Sequence, residues 1–379
     1  MQLMKEKGNH KIVKEKESYL SLSHGSDIID KNFSDEFKNY FSHPNTTPLF
    51  ILGNAVEVLK QFPSESIDCC MTSPPYWGKR EYQSGGIGLE KNFHDYIKNL
   101  CLVFLEIKRI LKNEGSFWLN LGDSYEQKHL LGLPWRIALL LTDDQGWILR
   151  NSIIWNKVKG GLDNSKDRLR NIHENVFHFV KQPKDYYYDV DAIRSTPRKS
   201  KIVNGAVISA TGVTGIRYKR QIELSTKLSQ EEKTHAYIAL EKIISEVASG
   251  QIADFRMIIR GQQRTTHSNS ESVSGRAKEL KEKGFYFLKY HPKGAKPGDV
   301  WEILPEDSQN RKIHFAPYPL DLCKIPISAT CPPNGIVLDP FAGIGTTMVV
   351  AHLLKRKSIG IDICRHYLEL AQKRTQLIL

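Results

Sequence analysis

The sequence predicts an α/β fold in which a mostly parallel sheet carries helices on both of its faces. Apolar, strand-like runs alternate with segments of helical periodicity between residues 49 and 180, and the alternation resumes between residues 320 and 377. This alternation indicates parallel strands, because a return to a parallel strand requires a crossover connection that is usually helical. A third observation is a Gly-rich turn at residues 343–345, which joins a predicted strand to a predicted helix.

The first series of elements lies within residues 47–190. Predicted strands cover residues 49–52, 67–72, 116–121, 148–155 and 175–180. Predicted helices cover residues 55–61, 93–111 and 134–141, the last of which begins at a proline, a residue tolerated in a first helical turn. The strand at 67–72 must end before Pro74 and Pro75, because proline cannot continue a central strand. The helix at 93–111 is amphipathic, and we expect Gly115 to stop it.

The alternation breaks near Asp191 and resumes near residue 298. The intervening stretch mixes Ser, Thr, Gly, Lys and Arg with one predicted helix at about residues 230–248, and residues 268–275 are predicted to form a loop. The second series predicts helices at residues 320–330 and 346–355, strands at 336–339 and 358–362, and a last helix toward the C-terminus. The predicted domains are a polar, basic N-terminal extension (1–46), a first α/β part (47–190), an inserted module (191–296) and a second α/β part (297–379).

Positive charge is concentrated in the inserted module. The 379 residues carry a net charge of +12, and residues 194–296 alone hold 20 Lys and Arg against 9 Asp and Glu. A basic module within a nearly neutral chain indicates either a phosphate-backbone partner or a solvated basic surface.

The six cysteines include no Cys-x-x-Cys pair and no His cluster at zinc spacing, so we expect no metal site and reduced thiols. The apolar run around residues 137–141 is far shorter than the roughly 20 residues that span a bilayer. These features predict a cytoplasmic protein without membrane contact.

The segment DPFAGIGTT, residues 339–347, predicts a cofactor site. Gly343 and Gly345 allow a tight turn, and the helix that follows directs free N–H groups at a carboxylate or phosphate. Asp362 ends the next predicted strand, where an acidic side chain can accept hydrogen bonds from ribose hydroxyls. A dinucleotide-binding dehydrogenase is the nearest alternative, but its fingerprint requires Gly at the position of Met348.

The segment TSPPY, residues 72–76, predicts a site for an exocyclic amino group. The Ser73 hydroxyl and the Pro74 carbonyl can accept the two hydrogens of such a group, and Pro75 restricts the backbone. Tyr76 offers an aromatic face on which a base can stack. Acceptors at both hydrogens draw the nitrogen toward tetrahedral geometry and free its lone pair for attack.

These two segments, in this order, resemble those of the permuted beta group of DNA amino-methyltransferases. The resemblance covers roughly residues 49–190 and 297–377, and it implies a Rossmann-like methyltransferase sheet, S-adenosyl-L-methionine as cofactor and an inserted target-recognition module. It assigns catalysis to Ser73, Pro74, Pro75 and Tyr76. It places these residues at the cofactor: Asp339, Phe341, Gly343, Gly345, Thr346, Thr347, Asp362, Asn54, and, within the closing segment HFAPYP, Phe315 and Ala316.

Secondary motifs also match the family, at residues 119–124, 155–157 and 170–174. Within or beside them, Asp123, Lys157, His173 and Glu174 are candidates for lining the base pocket or for purely structural roles.

The serine of the first motif favours cytosine N4 as the methylated atom in this family, with adenine N6 as the alternative. The implied substrate is a short site in double-stranded DNA within the nucleoid, and the implied functional partner is a restriction endonuclease. The candidate DNA contacts are Arg256, Arg260, Arg264 and Arg276. A non-catalytic nucleic-acid-binding protein of the same fold is the rival interpretation, and RNA is an alternative substrate.

Overall fold

The computed structural model describes residues 28–29, 40–41, 46–79, 85–159, 163–196, 199–204, 206–208, 215–261, 275–306 and 318–377. The chain forms two compact units. The first unit comprises Met1–Asp189 and Gly298–Leu379, and the second comprises Val190–Pro297.

The strands are, in chain order, β1 (Ile28–Ile29), β2 (Leu49–Leu52), β3 (Ile67–Thr72), β4 (Leu111–Leu121), β5 (Tyr125–Glu126), β6 (His129–Leu130), β7 (Ile148–Asn156), β8 (His173–Val180), β9 (Lys201–Val203), β10 (Ala206–Ile208), β11 (Asp254–Ile259), β12 (Phe285–Tyr290), β13 (Val300–Glu302), β14 (Ile336–Asp339) and β15 (Lys357–Asp362). The α-helices are α1 (Ala55–Leu59), α2 (Phe93–Ile110), α3 (Leu133–Asp143), α4 (Gly215–Glu223), α5 (Gln230–Ala248), α6 (Gly275–Lys283), α7 (Leu320–Thr330), α8 (Thr346–Leu353) and α9 (Arg365–Gln376). None of these helices is long and apolar enough to cross a bilayer.

A nine-stranded sheet organises the first unit, in the order β1-β2-β15-β14-β3-β4-β8-β7-β13. Strand β8 runs antiparallel to both of its neighbours, and the remaining pairs are parallel. The mostly parallel α/β sheet predicted from the alternation is therefore confirmed. Strands β3 and β14 are neighbours, so the two motifs meet at one sheet edge although they are more than 260 residues apart.

Helices cover both faces of this sheet. Successive side chains on a strand point to opposite faces, so neighbouring residues of one strand pack against different helices. On β4, Phe117 packs with the core that includes Phe104 of α2. Its neighbour Trp118 packs on the other face with Leu322 and Ile327 of α7. Cys69 and Cys70 of β3 are fully buried and form no disulfide.

The end of α2 differs from the prediction. The helix ends at Ile110, and β4 begins at Leu111, opposite Ile67, so Gly115 lies inside the strand. A Cβ atom on Gly115 would lie 2.8 Å from the Asp68 carbonyl oxygen. Glycine is required here by the close approach of β3 and not by a helix stop.

Part of the predicted N-terminal extension belongs to the fold. Strand β1 adds a parallel edge to β2, so the sheet begins before Leu49, where the sequence predicted its start. The Tyr40 hydroxyl accepts a hydrogen bond from the Ser358 N–H (2.9 Å), which attaches this segment to β15.

The second unit has more regular structure than the single predicted helix. It contains α4, α5, α6 and two pairs of antiparallel strands, β9–β10 and β11–β12. Phe255 and Met257 of β11 form its core with Leu240 and Ile243 of α5. The prediction missed α4 and α6 because most of their side chains are charged or polar, so their apolar stripes are narrow. The predicted loop at 268–275 lies almost wholly outside the described residues.

Candidate active site

A buried carboxylate connects the two motifs. Asp339, at the end of β14, is fully buried and accepts hydrogen bonds from Thr72 Oγ1 (2.6 Å), Thr347 Oγ1 (2.6 Å), Tyr318 OH (2.7 Å) and Phe341 N (3.1 Å). The Tyr318 and Thr347 hydroxyls also contact each other. Burial raises the pKa of Asp339, and these hydrogen bonds oppose that effect. The carboxylate fixes the end of β3 against the Gly-rich turn.

The Gly-rich turn has the backbone that its sequence predicts. Gly343 and Gly345 have φ values of 50° and 77°, in the left-handed region where glycine is favoured. A Cβ atom on Gly345 would also lie 2.8 Å from the Cβ of Ala371, so only glycine lets α9 pack closely against the turn. Helix α8 starts at Thr346, and its first N–H groups face the turn, where an anionic group is favoured.

Asp362 stands beside this turn at the end of β15. Its carboxylate accepts hydrogen bonds from Gly343 N (2.8 Å) and Cys364 N (2.9 Å), with one oxygen for each. Each oxygen keeps acceptor capacity for a ligand hydroxyl. Burial raises the pKa of Asp362 to about 6, although the backbone hydrogen bonds lower it.

Asn54 follows β2, whose last residue, Leu52, pairs with Asp362. Its side chain accepts hydrogen bonds from Val56 N (3.0 Å) and Glu57 N (3.4 Å) and so caps α1. The structure therefore gives Asn54 a capping role near the predicted cofactor site. Phe315 and Ala316 lie outside the described residues.

The second half of the site is a hydrogen-bonded cluster that we call the Ser73 network: Ser73, Tyr76, Asn120, Lys157 and Glu174. The Tyr76 hydroxyl lies 3.2 Å from Ser73 Oγ and donates to Glu174 Oε2 (2.7 Å). The two hydrogens of Asn120 Nδ2 are shared among three acceptors within hydrogen-bond distance: Ser73 Oγ (3.2 Å), Tyr76 OH (2.9 Å) and Glu174 Oε2 (2.9 Å). Lys157 Nζ forms an ion pair with Glu174 Oε1.

Neighbouring groups fix the backbone and ring of the SPPY segment. The Tyr96 hydroxyl donates to the Pro75 carbonyl (2.9 Å). A Cβ atom on Gly122 would lie 2.6 Å from Cε2 of Tyr76, so the ring occupies space that only glycine leaves open. Burial, followed by the nearby Glu174 carboxylate, raises the pKa of Tyr76 well above its usual range. Tyr76 is therefore a neutral phenol and a hydrogen-bond donor at physiological pH.

The other pocket candidates divide clearly. Glu174 and Lys157 belong to the Ser73 network, whereas the Asp123 carboxylate accepts from Ser124 N (2.8 Å) and Leu133 N (3.1 Å) and holds a turn. His173 is exposed and has no place in the network. Asn120 is the residue that the sequence interpretation did not single out, although it stands at the end of a strand within a quoted motif.

The arginine candidates of the second unit have different surroundings. Arg256 and Arg276 are exposed. The Arg260 guanidinium is occupied by Glu232 Oε1 (2.5 Å) and by backbone carbonyls of the same unit. Arg264 lies outside the described residues. In the part of the chain that the structure covers, no cluster of His, Cys, Asp or Glu is arranged to hold a metal ion.

The mostly parallel sheet with helices matches the fold of solved S-adenosyl-L-methionine-dependent methyltransferases. Residues 67–373 match the N6_N4_Mtase family, described as DNA methylase, and the chain belongs to this family. Its methyl donor is S-adenosyl-L-methionine, which fits the turn, the α8 N-terminus and the acceptor oxygens of Asp362.

Two curated relatives are similar over most of their length. The type II methyltransferase M.SfiI of Streptomyces fimbriatus is 29% identical over 392 residues, which cover 88% of this chain and 92% of the relative. The type II methyltransferase M.SmaI of Serratia marcescens is 30% identical over 354 residues, which cover 86% of this chain and 89% of the relative. The solved structure of the PvuII DNA methyltransferase, named as cytosine-N4-specific, has a similar fold, with a TM-score of 0.50 and 18% identity. The match covers 86% of this chain and 84% of that one.

Proposed function

We propose that this methylase transfers the methyl group of S-adenosyl-L-methionine to the N4 amino group of cytosine in a short duplex sequence, and that this modification protects DNA from a cognate restriction endonuclease. The observation that carries the proposal is the Ser73 hydroxyl, which Asn120 and Tyr76 hold in place at the carboxyl edge of the sheet. The curated relatives, which are named as type II methyltransferases, support the biological role.

The chemistry follows from the acceptors at the SPPY segment. An exocyclic amino group is a weak nucleophile because its lone pair is delocalised into the ring. Ser73 Oγ and the Pro74 carbonyl accept its two hydrogens, which favours a tetrahedral nitrogen with its lone pair directed at the methyl group. The bound cofactor supplies that methyl group on a positively charged sulfur. Holding the two reactants at near-attack distance supplies most of the rate gain.

The target base must leave the duplex to reach these acceptors, and Tyr76 is the residue on which it stacks. The prolines and the Tyr96 hydrogen bond keep Ser73 and Tyr76 in register, so the site is formed before the base arrives. The exposed Arg256 and Arg276 of the basic second unit are the described candidates for contacts with DNA, and we assign target recognition to this unit.

The cofactor contacts divide between the two sides of the turn. The N–H groups at the start of α8, next to Thr346 and Thr347, bind the carboxylate of the methionine part, and Asp362 accepts from the ribose hydroxyls. Phe341, Gly343 and Gly345 shape the surface between them. Because the Asp339 carboxylate is buried and already accepts four hydrogen bonds, we assign it to holding the turn in shape.

Product analysis tests the proposed reaction. Unmethylated genomic DNA is incubated with labelled S-adenosyl-L-methionine and the protein, and the nucleosides are then separated and identified by mass spectrometry. We expect N4-methylcytosine. N6-methyladenine would retain the enzyme class and refute the choice of base, whereas the absence of any labelled nucleoside would refute the proposed reaction.

Cofactor affinity is expected to fall in acid as Asp362 takes up a proton. With the pKa raised to about 6, the carboxyl group is mainly ionised at pH 7 and mainly protonated at pH 5. The ionised form accepts stronger hydrogen bonds from hydroxyl groups, so the dissociation constant should rise about tenfold between pH 7 and pH 5. Calorimetric titration of the protein with cofactor at each pH measures this change.

The Asp362→Asn variant is the control for this pH dependence. Its amide accepts only through one oxygen and does not titrate, so affinity should be weaker at pH 7 and nearly constant down to pH 5. Wild-type affinity at pH 7, or an unchanged slope in the variant, would exclude Asp362 from the cofactor site.

A further inference from the structure

The hydrogen bonds of the Ser73 network have a defined direction. An ionised carboxylate can only accept, so Tyr76 donates its proton to Glu174 Oε2 (2.7 Å). The Tyr76 oxygen must then act as the acceptor in its 3.2 Å contact with Ser73 Oγ, and the Ser73 hydroxyl is the donor. The two protons therefore both point from Ser73 through Tyr76 toward Glu174.

Asn120 fixes this direction from a neighbouring strand. Its Nδ2 group faces Ser73 Oγ, Tyr76 OH and Glu174 Oε2, and as a donor it can only be met by acceptors there. Asn120 is 1% exposed, and its Oδ1 atom is buried without a partner among the described residues. A serine hydroxyl has two acceptor positions. Asn120 occupies one of them, which leaves one for a hydrogen of the target amino group.

Methyl transfer creates a proton that the site must remove. When the amino nitrogen forms its bond to the methyl carbon, the carbon–sulfur bond breaks and the sulfur leaves as a neutral thioether. The nitrogen then carries the positive charge and has one hydrogen more than the neutral product. An acceptor for this proton close to Ser73 would prevent the charge from remaining in a site that burial makes unfavourable for ions.

We propose that Glu174 is the terminal acceptor of this proton, and this proposal rests on the function proposed above. The methylated nitrogen passes its proton to Ser73 Oγ, Ser73 passes its own proton to the Tyr76 oxygen, and Tyr76 passes its own to Glu174. Ser73 and Tyr76 end the step as neutral hydroxyls, and Glu174 becomes a neutral carboxylic acid. Ser73 is the catalytic residue of this route, and Glu174 and Asn120 are positioning residues that act through it.

The surroundings of Glu174 suit a group that must be ionised before the reaction and discharged after it. Lys157 of the segment following β7 forms an ion pair with Oε1. The Glu174 side chain is 11% exposed and that of Lys157 is 28% exposed, so solvent can take the proton away. Two other ionisable groups lie near this route. Tyr96 contributes to the raised pKa of Tyr76, and the exposed His173 precedes Glu174 in the chain.

The Glu174→Gln variant tests the route, because glutamine keeps the size of the side chain and cannot take up a proton. We expect the single-turnover rate of methyl transfer to fall about 100-fold at neutral pH, the low end of the effect of a positioned proton acceptor. Affinity for the cofactor should stay unchanged, so the loss should fall on the rate of the chemical step and not on binding.

The matched control is Glu302→Gln, an exposed carboxylate on β13 that lies outside the Ser73 network. It should keep the wild-type rate. Unfolding temperature and cofactor affinity of Glu174→Gln should stay near wild type, which separates proton transfer from a structural role. Tyr76→Phe interrupts the same route at its middle and should slow methyl transfer to a similar extent, so the test does not depend on the folding of the Glu174 variant alone.

A wild-type rate in Glu174→Gln would refute the proton route while leaving the proposed methylation of cytosine intact. The nucleoside analysis of the wild-type product tests that second proposal separately. Because the route needs only an exocyclic amino group, N6-methyladenine as product would refute the proposed base and not the role of Glu174.

Discussion

Replacing Tyr76 with Ala is expected to lower the rate of methyl transfer about 1,000-fold while cofactor affinity stays close to that of the wild type. The substitution removes the aromatic face, worth about 1–3 kcal/mol per stacked base, and also interrupts the route from Ser73 to Glu174. The proposed cofactor residues lie on β14, β15 and the turn, whereas the Tyr76 hydroxyl contacts Ser73, Asn120 and Glu174. Single-turnover kinetics on duplex DNA and calorimetry with the cofactor measure the two quantities.

Tyr76→Phe separates the two functions of the side chain. The ring remains against Gly122, so stacking should persist, and only the hydroxyl is lost. We expect a loss of about 100-fold, as in Glu174→Gln, because both variants break the same route. The double variant should be no slower than either single variant, since residues in one network are not additive. Losses that multiply in the double variant, or full activity of Tyr76→Ala, would contradict these assignments.

The sequence predicted most accurately the elements whose two ends are marked by nearby residues. The structure has β3, β14, α5 and α7 with the bounds that were predicted, because apolar periodicity and nearby Pro, Gly or Ser residues define both ends. The predicted boundary between α2 and β4 was wrong, because the start of β4 depends on the pairing of Leu111 with Ile67, a contact between separate segments. Local patterns do not contain this information.

The same distinction applies to the site. Ser73, Tyr76 and the Gly-rich turn lie in short motifs whose residues act together, so spacing along the chain identified them as candidates. Asn120 of β4 contacts Ser73, and Glu174 of β8 contacts Asn120 and Tyr76. The strand order β3-β4-β8 brings these residues together. A polar residue near a strand end gives no sign of its neighbour on the next strand, so their roles required the fold.

The charge of the second unit shows a further limit of composition. Its basic excess predicts a nucleic-acid partner, yet several of its cations already have acidic partners within the unit. These pairs are Lys219–Glu241, Arg260–Glu232, Lys283–Glu279 and Lys289–Glu246. Exposed pairs of this kind contribute little stability, and they reduce the charge available to a phosphate backbone. Arg256 and Arg276 stay candidates for DNA contact because their side chains are exposed.

Asp339→Ala is expected to have the largest effect on stability. The substitution leaves three hydroxyl groups and the Phe341 N–H without their acceptor in a buried site. Removing one partner from such a network typically costs about 3–5 kcal/mol, and we expect a loss of this size in the free energy of unfolding by denaturant. The Gly-rich turn also loses its connection to β3, so cofactor affinity should fall even under conditions where the variant remains folded.

Two milder variants distinguish the shape of the turn from general stability. Thr72→Val removes a single hydroxyl from Asp339 and should cost about 1 kcal/mol with nearly normal cofactor affinity. Asp339→Asn keeps the shape of the side chain but presents an amide group to hydroxyls that now donate to a carboxylate. It should therefore weaken cofactor binding more than Thr72→Val does, as measured by calorimetry on the folded proteins. Equal affinities in the two variants and the wild type would show that Asp339 stabilises the fold without controlling the turn.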